Sequence, residues 1–297
     1  MSLTTWFLRK TFQRSDDKRD AGLTTPPDIE RRDDLCYGTD QKWQTLDVYR
    51  PRGASGSLPV IVSVHGGGWT YGDKERYQYY CMNLAQRGFA VVNFTYRLAP
   101  EFKFPAGIED THLVFCWVLK HSEGFDLDRV FAVGDSAGAH MLTIYSALCA
   151  NPDYARKYGI QPPSLPDGRP FIPGAVGLNC GVYQISLSKE ASAMTRSLMK
   201  ALLPNRGSAE ELDLLNPIPY INSRFPRAYV MTANRDTVAG PPAREELIQR
   251  LQACSVPFVD RTYGTDDAPL YHVFHCDVRS EAAKQCNDDE CRFFLEA

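Results

Sequence analysis

The sequence predicts an α/β fold with a mostly parallel central sheet, helices on both faces and a small cap. Apolar runs of strand length alternate with stretches of helical length through most of the 297 residues. The run "LPVIVSV" at 58–64 lacks polar alternation, which is typical of a strand buried on both faces. A polar, partly helical segment at 184–225 interrupts the alternation, and this interruption indicates the cap.

The elements before residue 151 follow in a regular order. The predicted strands are short pieces within 34–50, then 58–64, 89–96 and 129–135, and the predicted helices are 74–87, 107–121 and 137–150. Gly88 suits the end of the first helix, because glycine readily adopts the left-handed conformation of a C-cap. Asn151 and Pro152 stop the third helix, since proline cannot continue a helical ladder.

The alternation of predicted strands and helices stops after residue 150 and resumes later in the chain. Residues 151–173 are rich in Pro and Gly, and the later predicted elements are strands at 174–183, 227–234 and 257–264 and helices at 242–254 and from about 278. We therefore expect a single domain over 1–297, with cap elements from about 1–30 and about 184–225. Such a cap would cover the carboxyl edge of the sheet, where open α/β folds bind ligands.

Composition excludes several classes of protein. The net charge of -3 argues against a nucleic-acid partner, and no apolar run approaches the length of a membrane span. The N-terminus lacks the basic start and apolar core of a signal peptide, so the nine cysteines indicate reduced thiols and a cytoplasmic location. The oligomeric state, a homodimer included, stays open.

The cysteine-rich tail does not predict a metal site. "HVFHCD" is followed by Cys286 and Cys291, but these spacings match no compact zinc pattern. We therefore expect no metal and no organic cofactor.

The stretch "GDSAG", from Gly134 to Gly138, has the G-x-S-x-G pattern of a nucleophile turn. It lies between a predicted strand and a predicted helix, which is the setting that gives the pattern its meaning. A serine on such a sharp turn projects its hydroxyl clear of the sheet, and side chains at the flanking positions would clash. The pattern thus predicts Ser136 as a nucleophile, against the simpler interpretation of an ordinary strand-to-helix turn.

A second glycine motif, "HGGGW" at 65–69, follows an earlier strand. Glycines allow a loop to present bare backbone N–H groups to the oxyanion that forms when a serine attacks an ester. Gly67 and Gly68 are the predicted donors, and the N–H of Ala137 would be a third. A phosphate-binding loop does not fit, since neither a following Lys-Ser/Thr nor the G-x-G-x-x-G spacing is present. We expect His65 to brace the loop by hydrogen bonds.

Three stretches together resemble the hormone-sensitive lipase-like branch of the α/β-hydrolase superfamily, the bacterial carboxylesterases and acetyl esterases. They are "HGGGW", "YRLAPEFKFPAGIED" at 96–110 and "GDSAGAH" at 134–140, and the resemblance extends over roughly 45–280. It weakens at the N-terminus and in the cap, where this chain is shorter than many relatives. The resemblance implies an α/β-hydrolase fold and a mainly structural role for "YRLAPE", with Glu101 not a catalytic acid.

In this fold the catalytic order is Ser, then Asp or Glu, then His. "HVF" is similar to the family's histidine-x-phenylalanine pattern, so His272 is the predicted base. His275 is the runner-up, with capping of the last helix as its alternative role, and His140 is expected to face packing. Asp236 lies just past a strand at the family's position for the acid. The other acidic candidates are expected to be solvated charges: Asp260, Asp266 and Asp267.

The predicted function is a serine carboxylesterase that hydrolyses small, short-chain acyl esters, acetyl esters among them, through an acyl-enzyme. Trp69 and Tyr183 are candidates to line the substrate pocket, and either would equally suit the core. An aryl formamidase acting on an N-formylkynurenine-like substrate is the alternative, because the triad does not separate esters from activated amides. A binding protein on a hydrolase scaffold is a third option, although such proteins typically lack one triad member.

Overall fold

One sheet of eight strands organises the chain, in the order β1-β2-β4-β3-β5-β6-β7-β8. The computed structural model describes residues 3–296, so residues 1, 2 and 297 of the predicted domain lie outside the described residues. The strands are β1 Ile29–Cys36, β2 Thr45–Pro51, β3 Leu58–Val64, β4 Ala90–Phe94, β5 Phe125–Asp135, β6 Ala175–Asn179, β7 Arg227–Ala233 and β8 Phe258–Tyr263. The α-helices are α1 Leu3–Asp20, α2 Lys74–Ala85, α3 Ala106–Lys120, α4 Ala137–Ala150, α5 Pro152–Tyr158, α6 Ala193–Leu202, α7 Ala209–Leu215, α8 Glu245–Ala253 and α9 Glu281–Leu295.

The pairing confirms the predicted mostly parallel sheet. All pairs from β4 and β3 across to β8 are parallel, whereas β1 with β2 and β2 with β4 are antiparallel. Alternate residues of β3 enter different cores: Val60 and Val62 pack in one apolar cluster, and Ile61 packs in the other. Because helices cover both faces, β3 needs apolar side chains on each of them, which accounts for its unbroken apolar run.

The segment 151–173, where the alternation of strands and helices stops, contains helix α5, which the sequence pattern did not predict. Asn151 ends α4 and also begins α5, since its side-chain oxygen accepts hydrogen bonds from the N–H groups of Asp153 and Tyr154. Pro152 occupies the first turn of α5, where its missing N–H has no intrahelical partner to lose. The same two residues therefore stop one helix and start the next.

The N-terminal helix α1 lies against the loops that follow β3 and β4. The guanidinium of Arg9 donates to the carbonyl of Ala99 at 2.8 Å, and Tyr71 donates its hydroxyl to Asp16 at 2.7 Å. Helix α1 also contacts α6, which belongs to the polar segment 184–225. Within residues 3–296, none of the helices combines the length and apolarity needed to cross a membrane.

A buried carboxyl group on α9 lies beneath the sheet. The Oε1 atom of Glu290 accepts a hydrogen bond from Asn179 at 2.9 Å, and Tyr80 donates to Oε2 at 3.2 Å. Gly177 makes room for it, because a Cβ at that position would lie 1.9 Å from Oε1. Burial raises the pKa of Glu290 to about 7, so the carboxyl group is protonated in mildly acidic solution.

This raised pKa predicts a pH-dependent stability that Glu290→Gln removes. A carboxyl whose pKa is higher in the folded state binds its proton more tightly there, so stability is lost as pH rises from about 4.3 to about 7. The glutamine carries no charge: its oxygen can accept from Asn179, and its NH₂ can donate to the hydroxyl oxygen of Tyr80. Urea unfolding should show the variant near wild type at pH 4.5 and more stable by about 3 kcal/mol at pH 8. An equal pH dependence in both proteins would contradict this assignment.

Candidate active site

The turn at Ser136 joins β5 to α4 in a conformation that few residues adopt. Ser136 has φ 51° and ψ −118°, and its N–H donates to the carbonyl of Asn179 at 2.9 Å. A Cβ on Gly134 would lie 2.7 Å from the backbone of Gly138, and one on Gly138 would lie 2.0 Å from the carbonyl of Val64. These contacts confirm that the flanking positions must be glycine, since real Cβ atoms do not approach so closely.

The structure brings Ser136, His272 and Asp236 into one hydrogen-bonded series. The Nε2 atom of His272 lies 3.0 Å from Ser136 Oγ, and Nδ1 lies 2.8 Å from Asp236 Oδ2. An ionised carboxylate only accepts, so Nδ1 carries the proton and Nε2 offers a lone pair to the serine hydroxyl. The imidazole is thus held in the tautomer that can remove a proton from Ser136.

Asp236 is held in its ionised form. Burial pushes the pKa of its carboxyl upward. The hydrogen bond from His272, the positive charge that this ring carries when it is protonated, and the N–H groups of Ala239 and Val238 outweigh burial, so the pKa lies below its usual range. Both N–H groups donate to Oδ1 at 2.8 Å. This leaves Oδ2 for His272, and each carboxylate oxygen has a defined partner.

The loops that carry Asp236 and His272 are tied to each other. The N–H of Arg235 donates to the carbonyl of Leu270 at 3.0 Å, and the N–H of Leu270 donates to the side-chain oxygen of Asn234 at 2.9 Å. These bonds join the end of β7 to the loop after β8. The acid and the base therefore keep their relative positions although 36 residues separate them.

The glycine loop after β3 presents bare backbone close to the nucleophile turn. Gly67 and Gly68 have φ 114° and 58°, and a Cβ on Gly67 would lie 2.1 Å from the carbonyl of Tyr71. No hydrogen bond found among residues 3–296 uses the N–H of Gly67 or Gly68 as its donor. The N–H of Ala137 opens α4, where a helix leaves its first N–H groups without intrahelical partners. All three are suited to bind an anion.

Asp135 links the glycine loop to the nucleophile turn. Its Oδ1 accepts from the N–H of Gly66 at 2.9 Å, and its Oδ2 accepts from the hydroxyl of Tyr77 at 2.8 Å. Burial raises the pKa of Asp135 to about 6, against the opposing effect of these hydrogen bonds. Asp135, which directly precedes Ser136, thus helps to fix the position of the loop that carries Gly67 and Gly68.

His65 braces the loop as predicted. Its Nδ1 lies 2.8 Å from the carbonyl of Gly66, and its ring stacks on Tyr96 with centroids 4.0 Å apart. Burial lowers the pKa of His65 to about 4, so the ring is neutral and Nδ1 donates. The "YRLAPE" segment adds a further tie, because the N–H of Ala99 donates to the carbonyl of Trp69 at 2.9 Å. This agrees with the structural role expected of that segment.

The other histidine candidates lie away from Ser136 Oγ. His140 faces packing, as predicted, and its Nε2 lies 2.7 Å from the carbonyl of Leu215. His275 is fully buried against Tyr80, with ring centroids 5.0 Å apart. Its backbone carbonyl accepts from Asn287 of α9, which is the contact it makes with the last helix.

The remaining candidates take positions outside the series. Asp260 pairs with Arg244, and Asp266 is exposed and pairs with Arg235. Tyr183 is buried, and its hydroxyl donates to the carbonyl of Leu178 at 3.2 Å, so its role as a substrate contact stays a prediction.

Two residues at the site were not predicted from the sequence. Asp135 was visible inside the "GDSAG" motif, but its contact with the glycine loop depends on how β3 and β5 pair. The other is Leu198 of α6. A Cβ atom added to Gly68 would lie 3.2 Å from the side chain of Leu198, so the two residues are close neighbours. No local signal could have identified Leu198, because its neighbour is 130 positions away in the chain.

One group of described residues has the donor atoms for a metal ion. Ligand atoms of Cys180, Asp236 and His272 all lie within 4.8 Å of one another. Burial raises the pKa of the Cys180 thiol, which opposes the thiolate that a metal would need. A metal there would also replace the proton that His272 shares with Asp236, so metal binding and the hydrogen-bonded pair exclude each other.

Comparison with known sequences places this chain in a family. The sequence model of the family described as BD-FAE matches residues 46–251. The carboxylic ester hydrolase LipN of Mycobacterium tuberculosis is 37% identical over 121 residues, which are 39% of this chain and 31% of LipN. Hormone-sensitive lipase of Mus musculus is 30% identical over 160 residues, covering 52% of this chain and 19% of the lipase. The chain thus spans less than a third of either relative.

Solved structures share the fold over nearly the whole chain. Esterase B from Lactobacillus rhamnosis superposes with a TM-score of 0.85 at 24% identity, covering 98% of this chain and 93% of that one. The esterase of Pyrobaculum calidifontis gives a TM-score of 0.75 at 22% identity, over 99% and 92% of the two chains. At these identities the likeness shows the fold, which is the predicted α/β-hydrolase fold. The chain belongs to the BD-FAE family, within the hormone-sensitive lipase-like branch of the α/β-hydrolase superfamily.

Proposed function

We propose that this protein is a serine carboxylesterase with Ser136 as nucleophile, His272 as general base and acid, and Asp236 as the orienting carboxylate. The observation that carries the proposal is the hydrogen-bonded series from Ser136 Oγ through His272 to Asp236, at 3.0 and 2.8 Å. The names of relatives support the reaction class, since LipN is a carboxylic ester hydrolase and LipQ, 28% identical over 76% of this chain, is an esterase.

The first half of the proposed reaction forms an acyl-enzyme. Ser136 Oγ attacks the ester carbonyl while His272 Nε2 takes its proton. The negative charge that develops on the carbonyl oxygen is bound by the N–H groups of Gly67, Gly68 and Ala137. The bond to the alcohol oxygen then breaks, and His272 returns its proton to that oxygen.

The second half releases the acid and restores the enzyme. Water gives a proton to His272 and attacks the acyl carbon, and the new tetrahedral species collapses with the proton returning to Ser136 Oγ. Asp236 stays ionised throughout and stabilises the imidazolium in each step.

We propose that α1 and the segment 184–225 form the cap of this site. Three contacts support this assignment. Arg9 of α1 donates to the carbonyls of Thr70 and Ala99, and Leu198 of α6 lies against Gly68. Helix α1 therefore contacts the backbone just after the glycine loop, and α6 contacts the glycine loop itself. A side chain this close to the proposed oxyanion donors restricts the space left for the substrate, which favours short acyl groups.

A series of nitrophenyl esters from acetyl to dodecanoyl tests the proposed function. We expect the highest kcat/KM at acetyl or butyryl and a fall of at least about tenfold by octanoyl, because a longer acyl chain has to displace side chains such as Leu198 that crowd the proposed oxyanion donors. An aryl formamide assayed beside the esters checks the alternative. Preference for long chains would overturn the short-chain assignment, and faster hydrolysis of the formamide would favour a formamidase.

A further inference from the structure

A small cavity lies between the glycine loop, α3, α4 and α6. Its volume is about 20 Å³, counted as the space open to the centre of a water molecule, which is enough for one small group. Most of its wall is apolar, and the apolar side chains come from Phe102, Phe104, Ile108, Met141, Ile144 and Leu202. Tyr96, Arg97 and Lys103 also line the cavity, and their polar groups donate to His65, Asp110 and Ala201. The two other lining residues with polar side-chain atoms are Trp69 and His140.

Both polar atoms are buried without a hydrogen-bond partner among the described residues. They are Trp69 Nε1 and His140 Nδ1, and the two rings meet edge to face with centroids 5.3 Å apart. Trp69 is 7% exposed and His140 is 0% exposed, so bulk solvent does not satisfy either atom. Buried polar groups in proteins are almost always hydrogen-bonded, and exceptions point to a missing partner.

The chemistry of that partner follows from the two atoms. His140 Nε2 lies 2.7 Å from the carbonyl of Leu215, so Nε2 carries the proton and Nδ1 is an acceptor. Burial lowers the pKa of His140 to about 4, which keeps the ring neutral at ordinary pH. The indole N–H of Trp69 can only donate. The missing partner must accept one hydrogen bond and donate another, as a hydroxyl group does.

The cavity is built on the same elements as the proposed catalytic groups. Trp69 directly follows the glycine loop, and His140 lies one helical turn beyond Ser136, its N–H donating to the Ser136 carbonyl at 3.2 Å. Leu202 is one turn beyond Leu198, the residue that touches Gly68. The cavity therefore lies next to the elements that carry the proposed nucleophile and oxyanion donors.

We propose that the cavity binds a hydroxyl group carried on a short arm of the ester substrate, with the hydroxyl accepting from Trp69 Nε1 and donating to His140 Nδ1. This rests on the esterase function proposed above and narrows its substrates to short hydroxylated esters. The hydroxyl can belong to the acyl chain or to the alcohol, because an ester has an arm on each side of the carbonyl.

Paired substrates test both arms. The acyl arm is tested with nitrophenyl butyrate against nitrophenyl 3-hydroxybutyrate, and the alcohol arm with ethyl butyrate against 2-hydroxyethyl butyrate. Each pair is assayed with wild type, with Trp69→Phe, which keeps a ring and removes the N–H, and with Trp117→Phe as a matched control on α3. The readout is the ratio of kcat/KM within a pair, which cancels general damage to the enzyme.

We expect wild type and Trp117→Phe to prefer the hydroxylated ester of one pair by roughly tenfold, and Trp69→Phe to lose that preference. His140→Leu removes the acceptor instead and should also lose the preference for the hydroxylated ester. If Trp69→Phe does not fold, the His140→Leu result tests the proposal by itself. No preference in either pair, or a preference that survives both variants, would overturn the proposal and assign the cavity to a water molecule. Hydrolysis of the plain butyrates separates this failure from failure of the esterase function itself.

Discussion

Replacing Ser136 with alanine is expected to lower kcat/KM for a short nitrophenyl ester by at least about ten-thousandfold. The substitution removes the only atom of the series that can attack the carbonyl, while His272 and Asp236 keep their hydrogen bond at 2.8 Å. Steady-state rates measured beside a circular dichroism spectrum would show the loss of activity in a folded protein.

Ser146→Ala is the matched control for this experiment. Ser146 is a buried serine of the same helix, ten residues beyond the nucleophile position, and its hydroxyl has no hydrogen-bond partner among the described residues. We expect this variant to keep wild-type rates. Near-normal turnover by Ser136→Ala would contradict the assignment of the nucleophile.

Replacing Asp236 with asparagine is expected to lower kcat by about a thousandfold to ten-thousandfold with little effect on folding. The amide oxygen would stay with the N–H groups of Val238 and Ala239, because Oδ1 accepts from both of them at 2.8 Å. The amide NH₂ would then face His272 Nδ1 and donate to it. Nδ1 would become an acceptor and Nε2 would carry the proton, so the ring could no longer accept the proton of Ser136.

A control variant makes this second expectation specific. Asp266→Asn alters an exposed carboxylate that pairs with Arg235, and it should leave the rate unchanged. If Asp236→Asn retained more than about a tenth of the wild-type kcat at neutral pH, the orienting role of Asp236 would be excluded.

The framework of the sheet was predictable because local patterns report burial. The unbroken apolar run of β3 reflects helices on both faces, and the same signal identified β4, β5 and β7. The antiparallel pairing of β1 and β2 at one edge was not predicted, since strand direction depends on long-range connections. Helix α5 was missed because Asn151 and Pro152 were read only as a stop signal, although the pair also starts a helix.

The candidate site divides in the same way between local and long-range information. "GDSAG" and "HGGGW" are contiguous motifs, so the turn at Ser136 and the glycine loop could be predicted from the local sequence. The preference for His272 over His275 came from a family resemblance, and the structure brings His272 to Ser136 and buries His275 against Tyr80. The contacts of Leu198 with Gly68 and of Trp69 with His140 join distant segments, which no local pattern reports.

A fluorophosphonate probe followed by intact-mass analysis and peptide mapping decides whether Ser136 is an activated nucleophile. Such a probe forms a covalent bond with a serine only when a neighbouring base activates it. We predict one adduct per chain, located on Ser136, and none in Ser136→Ala. No adduct on the wild-type protein, or an adduct on another serine that persists in Ser136→Ala, would contradict the proposed serine-hydrolase mechanism.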